Sequence, residues 1–311
     1  MMARFGKGKP MAVQASAVLK GFLSLESRHA AKRAAGIHGS RSTGRIHSLS
    51  TFHKYANALT GAGEWGRQYA GLRFLKAFTP ALAQQYLADR AAQGTGQKQL
   101  DTDRVALEFV IGKGLLEREH ACNQAALHSR AYTLTQIELV MSHQSPGNAL
   151  ATEIAWRAGL RAHELFTLER SREAEASAHR RWSSERFAGR DGVRFIVTGK
   201  GGLRREVLVP HELAVRLEGL RLEHPRLVTD RHIQYRQRYH LGGGNAWSKS
   251  FGDASKRVLG WSNGGHGLRH SYVQARMSEL QEQGKRYYHA RDIVSQEIGH
   301  FRGDIVEVYL R

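Results

Sequence analysis

The 311-residue chain contains a single cysteine, Cys122. One thiol cannot close an internal disulfide, so a reducing compartment fits, and the residue reads as a small buried hydrophobe rather than a nucleophile. Acidic residues are scarce: 28 Asp and Glu stand against 47 Lys and Arg, a formal charge of +19. That imbalance argues for a polyanionic partner, nucleic acid before a membrane surface. No stretch approaches the roughly 18 apolar residues of a spanning helix. Nucleotide and metal signatures are missing too. Lys200 follows a glycine, but Arg194 stands where a phosphate-binding loop needs glycine. His163-Glu164 and His211-Glu212 lack the second histidine of a metalloprotease helix, no C-x-x-C suggests zinc, and no strand leads into a G-x-G-x-x-G turn. Neither a metal nor a cofactor is expected.

What is present divides into three. Residues 1–50 hold nine Lys or Arg and one acid, Glu26. Residues 1–45 read as a basic N-terminal arm, disordered until an anionic partner arrives, rather than as a signal peptide. Residues 46–130 read as a small helical domain. Leu49, Phe52, Tyr55 and Leu59 recur at helical steps, Thr79-Pro80 opens a second helix that Gly94 follows, and LDTDRVALEFVIGKG gives a third. Lys98 sits in a basic loop between the last two. Periodicity fades over 117–132, a linker. In 131–311, Thr135-x-x-Glu138 has capping-box spacing, a helix runs through Ala149–Trp156, VRFIVT and REVLVP form a hairpin around GKGGLR, and helices resume near Gly265. The fold class is mainly α with a small β-hairpin or sheet: a helical domain followed by an α+β domain.

Seven residues in the last part suit phosphate chemistry: Arg161, Glu164, Lys200, His266, Arg269, His300 and Tyr309. Each alone has an ordinary explanation. Arg161 and Glu164 could be a surface pair worth ~0.2–0.5 kcal/mol; Lys200 could be a turn lysine, His266 a helix cap, and His300 and Tyr309 packing residues. Their order and spacing carry the signal. A-G-L-R-x-x-E-L at 158–165, V-T-G-K-G-G at 197–202, H-G-L-R-H at 266–270, I-G-H at 298–300 and Tyr309 resemble the tyrosine recombinase (phage integrase) family. Residues 46–130 resemble that family's core-binding domain.

The resemblance implies a two-domain enzyme that breaks and rejoins double-stranded DNA site-specifically through a 3′-phosphotyrosyl intermediate, for integration or excision of a mobile element. It implies Tyr309 as nucleophile, Lys200 as general acid, Arg161, His266, Arg269 and His300 around the phosphate, and Glu164 in support. Arg41, Arg45 and Lys98 are expected to contact the DNA backbone. The resemblance further implies a homotetramer on paired sites, possible accessory DNA-bending or excision factors, and a cytoplasmic, nucleoid-associated place. Two segments exceed the family pattern and read as insertions, 171–190 and 280–292. Only two residues follow Tyr309, so its turn is expected to order only with DNA and partner subunits. Three readings compete: a type IB topoisomerase-like relaxing enzyme with the same chemistry, a catalytically inactive DNA-binding relative, and a basic RNA-binding protein.

Overall fold

The computed structural model describes residues 9–24, 26–39, 42–123 and 128–311. Arg41 lies outside the described residues. The chain forms two compact units, residues 1–126 and 127–311. It is mainly helical, with two small antiparallel sheets among the described residues.

The first unit contains α1 (Met11–Lys20), α2 (Arg28–Ala34), α3 (Leu49–Ala70), α4 (Pro80–Ala92) and α5 (Gln97–Ile111). The arm expected to be disordered supplies α1. Met11, Ala15 and Leu19 fall on one face at four-residue steps and are buried in the unit's core with Leu59, Ala62 and Leu107, so there is apolar area enough to order this part of the arm. Ile46 closes the same core in a parallel bridge to Leu23. Ser48 and Thr79 cap α3 and α4 with their side chains, and Pro80 stands in the first turn as expected. Helix α5 begins one turn before its expected capping residues. Thr102 bonds back to the Lys98 carbonyl at 2.7 Å inside the helix, so Lys98 lies in a first helical turn rather than a loop. Residues 117–121 are stitched to this unit: Gln84 binds the Glu117 amide at 3.0 Å, and Gln97 binds the Ala121 amide at 3.0 Å and the Glu119 carbonyl at 2.9 Å. Cys122 follows and is exposed, not buried.

The second unit contains α6 (Leu134–Met141), α7 (Pro146–Arg157), β1 (Glu169–Arg170), β2 (Val193–Thr198), β3 (Arg204–Val209), α8 (His211–Glu218), β4 (Arg221–Asp230), β5 (Ile233–Tyr239), α9 (Gly244–Leu259), α10 (His266–Glu282) and α11 (Tyr287–Glu297). The capping box of α6 is Thr133 with Gln136, two residues ahead of the expected Thr135 and Glu138; both pairs have the spacing, and the earlier one leaves Ile137 and Val140 facing the core. Strands β1, β2 and β3 form one sheet in that order, and Thr198 pairs with Arg204 at the turn. Strands β4 and β5 form a separate ribbon. The main core gathers Ile154, Leu165, Val197, Val207, Trp247 and Leu268. A second cluster joins α10 and α11 to the last turn through Val273, Ile293, Ile298 and Val306.

The 171–190 segment packs on the end of α10 and on residues 280–292. Glu185 pairs with Lys285 and, at 2.6 Å, with His289. Arg190 forms a two-pronged bond with Glu279, both at 2.7 Å.

Candidate functional site

Arg161 and Glu164 sit on the tight turn after α7. Gly159 makes that turn with φ 61°, and a Cβ there would come 2.7 Å from the Tyr272 ring, so both its conformation and its packing call for glycine. The chain then folds back, and the Glu164 carboxylate accepts from the Arg161 amide at 2.8 Å and the Arg161 guanidinium at 2.8 Å. Glu164 is fully buried. Burial alone would raise its pKa, but Arg205, Arg269 and Arg161 around it hold it down at about 2. It is the single anion in a nest of cations.

Arg205, which the sequence reading overlooked, donates to Glu164 at 2.7 Å and is 1% exposed. The signal was present: two-residue alternation along RREVLV puts Arg205 on the inward face with Val207 and Val209. Arg269 enters from the first turn of α10 and is also fully buried. Its terminal nitrogens donate to the Gly159 carbonyl at 2.5 Å and to the Ile298 carbonyl, and its Nε has no partner. Burial, then the nearby Arg161, pushes it down to about 10, which leaves it charged at neutral pH.

His300 and Tyr309 complete the cluster. His300 Nε2 lies 3.1 Å from Arg161 Nη2 and 3.1 Å from the Tyr309 hydroxyl. A guanidinium can only donate, so Nε2 carries the lone pair and the proton rests on Nδ1. Burial, then Arg269 and Arg161, pushes His300 down to about 4; it is neutral at pH 7. Two donors thus converge on one lone pair. The Tyr309 ring is 5% exposed. It packs at centroid distances of 4.8 Å from His270 and 5.7 Å from His266, with the Arg269 guanidinium 5.8 Å from its centre.

The last turn is held within the chain, contrary to the expected dependence on DNA and partners. It is a 3-10 turn, Gly303–Val308, anchored by fully buried Val306. Gln274 of α10 reaches the Tyr309 carbonyl at 2.9 Å and that of Arg311 at 3.3 Å. Val308 is exposed.

The segment carrying His300 is braced from residues 171–190. Phe301, directly after His300, has φ 54°, a conformation costly for a bulky side chain. Its ring is held between Trp182, at 4.7 Å, and the Arg180 guanidinium, at 4.9 Å. The backbone of that segment also bonds to the end of α11: Ser183 donates to Gln296 at 2.7 Å and Phe187 to Glu297 at 2.8 Å.

The structure therefore brings Arg161, Glu164, Arg269, His300 and Tyr309 into one network and sets His266, an exposed residue, beside it. Lys200 is exposed at the β2–β3 turn and bonds to none of them. Its neighbour Gly199 does touch the cluster: a Cβ there would lie 3.0 Å from Glu164 Oε1 and 3.8 Å from Arg161 Nη1. Arg45 and Lys98 belong to the first unit, where Arg45 donates to the Gly21 carbonyl at 3.0 Å. Besides Arg205, His270 was passed over; it lies in the HGLRH motif, buried against Tyr309. Among the described residues no grouping of three or more His, Cys, Asp or Glu could hold a metal ion.

No protein-family model matches the chain, and no curated protein does. Solved structures do. The site-specific recombinase XerH bound to its difH substrate in a pre-cleavage complex aligns over 99% of this chain and 94% of its own, at 14% identity and a TM-score of 0.55. A lambda integrase fragment, crystallised as a dimer on a COC′ core site, aligns over 91% and 93% at 15% identity with a TM-score of 0.55. The Tn1549 transposon integrase in complex with transposon right end DNA aligns over 97% and 95% at 12% identity with a TM-score of 0.51. The chain has the tyrosine recombinase fold.

Proposed function

We propose that this protein is a site-specific DNA strand transferase that cleaves and rejoins duplex DNA through a phosphotyrosyl intermediate. The observation that carries the reading is the Arg161–His300–Tyr309 chain, with both contacts at 3.1 Å. A free tyrosine is a poor nucleophile, about 1 in 1000 ionised at pH 7 given a pKa near 10. Here its hydroxyl donates to a neutral imidazole lone pair that it shares with the Arg161 guanidinium. When a phosphate draws Arg161 away, Tyr309 has that lone pair to itself, and the added negative charge makes His300 a stronger base. The phenolic oxygen attacks phosphorus, the 5′ oxygen leaves, and one ester replaces another, so no ATP is consumed.

Arg161 and Arg269 are the cations for the non-bridging oxygens, with His266 as a further donor; arginine's planar fork suits two oxygens at once. Donors placed in this way are typically worth ~3–4 kcal/mol each. Glu164 and Arg205 position Arg161. Lys200 protonates the leaving 5′ oxygen from its exposed turn. On this reading the first unit is the core-binding domain and the second the catalytic one; Arg45 and Lys98, with Arg41, give phosphate contacts that position the duplex without reading it. Four protomers on two paired sites, with accessory DNA-bending or excision proteins, and integration or excision of a mobile element in the cytoplasm complete the reading.

The reading is tested with plasmids carrying the DNA that flanks the protein's own gene. Recombinant junctions between two marked copies are the expected product. Relaxed plasmid without junctions would give the topoisomerase-like reading instead, and duplex binding without covalent adduct would give the inactive relative.

Lys200→Ala is expected to slow cleavage by about 10²–10⁴ on an ordinary phosphodiester, and far less when the 5′ oxygen is replaced by a better leaving group such as sulfur. Equal losses on the two substrates would remove Lys200 as general acid.

A further inference from the structure

The β4–β5 ribbon pairs with no other strand among the described residues. Its register sets Leu227 opposite Arg236 and Thr229 opposite Gln234. Residues two apart share a face, so these four form one surface. All four are exposed, Leu227 at 70%. The other face is turned onto the body of the unit. There Tyr235 lies 5.7 Å from the Phe166 ring and 6.1 Å from that of His163, and Gln237, 1% exposed, donates to the Leu241 carbonyl at 2.7 Å. His163 stands between Arg161 and Glu164, so the ribbon is seated on the segment that carries the candidate phosphate cluster. Its tip is pinned as well: Asp230 accepts from the Asn245 amide at 2.8 Å, and Arg231 donates to the Asn245 side chain at 2.8 Å.

The outer face is therefore fixed in place, and its chemistry is specific. Arginine pairs with guanine and glutamine with adenine along the major-groove edge, and aliphatic or threonine methyls meet the thymine methyl. Arg236, Gln234, Leu227 and Thr229 supply that repertoire on one side of a two-stranded ribbon, an element the roughly 12 Å major groove admits. Leu227, 70% exposed opposite Arg236, offers an aliphatic group on that face. The ribbon carries Arg221, Arg226, Arg231, Arg236 and Arg238 against Glu223 and Asp230. Asp230 is occupied by Asn245, and Glu223 lies beyond the register break between Arg221 and Arg226, while Arg221 and Arg238 are paired with Glu173 and Glu169.

We propose that the β4–β5 ribbon enters the major groove of duplex DNA and reads base edges there through Arg236 and Gln234, with Leu227 and Thr229 in methyl contact. The proposal rests on the DNA-acting reading above, and it assigns a source of target choice that the phosphate-contacting residues do not provide.

The test is selection from a pool of randomised duplexes by the full-length protein, wild type and Arg236→Ala, with the bound fraction sequenced. The wild type is expected to enrich a motif. Arg236→Ala is expected to lose preference at one G·C position and to bind the wild-type motif about 5- to 160-fold more weakly, the equivalent of about 1–3 kcal/mol per paired base. Its affinity for random duplex should change by less than about 3-fold, as the exposed side chain contributes one charge. Gln234→Ala is the second variant, expected to relax an adjacent A·T position. An unchanged motif in both variants overturns the proposal, as does a wild type that enriches none. A change in self-association with no change in DNA preference also overturns it, in favour of a protein partner. Adduct formation by the wild type is scored separately. Adducts with an indifferent ribbon sink only this proposal, and a reading ribbon without adducts sinks only the catalytic one.

Discussion

Tyr309→Phe forms no denaturant-resistant adduct with a nicked duplex, yet binds that duplex within about 2-fold of the wild type. The substitution removes one oxygen and keeps the ring, so the packing against His270 at 4.8 Å and His266 at 5.7 Å survives. The backbone bonds from Gln274 survive too. What is lost is the hydroxyl 3.1 Å from His300 Nε2. Two buried tyrosines of the second unit are unsuited to the role: Tyr272 has its hydroxyl committed to Glu297 at 2.8 Å and its pKa driven far up by burial, and the Tyr132 hydroxyl accepts from the Asn263 amide at 2.6 Å. Adduct formation is scored on denaturing gels with 5′- and 3′-labelled strands. His300→Ala should retain the adduct but form it about 10²–10⁴ more slowly, the usual size of a proton-transfer contribution. Because His300 sits near 4 in the DNA-free chain, the wild-type rate at limiting DNA should not fall on its account as pH drops from 7 to 6, whereas at saturating DNA the phosphate's charge raises His300 and shifts any fall to higher pH. An adduct formed by Tyr309→Phe would remove Tyr309 as nucleophile.

Much of this site was legible because its residues sit in short runs whose spacing survives in the chain. HGLRH, IGH and AGLRAHEL name side chains that the turns around Gly159, Gly265 and Gly299 carry to one place. Arg205 was not legible that way, since no run surrounds it. It is a charged residue on the inward face of a strand, and a basic strand reads as surface until its alternation is followed. The β4–β5 ribbon was missed for a different reason. Its two-residue turn is Arg231-His232, with φ 48° and 66°, where the sequence signal for such a turn is Asn-Gly or Asp-Gly. Strand β4 also has little apolar alternation, because none of its residues is buried. Helix α9 was hidden by the Gly242–Gly244 run at its start, which carries no helical signal. The arm was misjudged by charge: the basic residues around α1 outweighed three buried apolar positions at four-residue steps. For Arg205 and the arm, the local composition pointed to solvent and the tertiary packing decided otherwise.

Glu164→Gln is expected to destabilise the protein by about 3–5 kcal/mol, the usual consequence of removing one partner from a buried ion group. Glu164 is fully buried, and its carboxylate bonds Arg161 and Arg205 and lies 3.8 Å from Arg269. Glutamine keeps one acceptor but leaves Arg205 and Arg269, both essentially inaccessible to water, without an anion. The cost arises from those stranded charges more than from lost bonds, which gives the prediction a second arm. Arg205→Met removes one stranded charge while filling similar volume, so the Glu164→Gln, Arg205→Met double variant should recover part of the loss and be more stable than Glu164→Gln alone. Urea titration followed by tryptophan fluorescence reads this out, because four of the five tryptophans (Trp156, Trp182, Trp247 and Trp261) lie in the second unit. An unfolding free energy for Glu164→Gln within about 0.5 kcal/mol of the wild type would mean that the three guanidinium groups do not depend on this carboxylate. Loss without recovery in the double variant would place the energy in hydrogen bonding rather than charge. Glu164 also orients Arg161, so adduct formation by whatever fraction of Glu164→Gln remains folded should be slowed at saturating DNA. The Arg161–His300–Tyr309 chain is built from side chains that a buried carboxylate holds still.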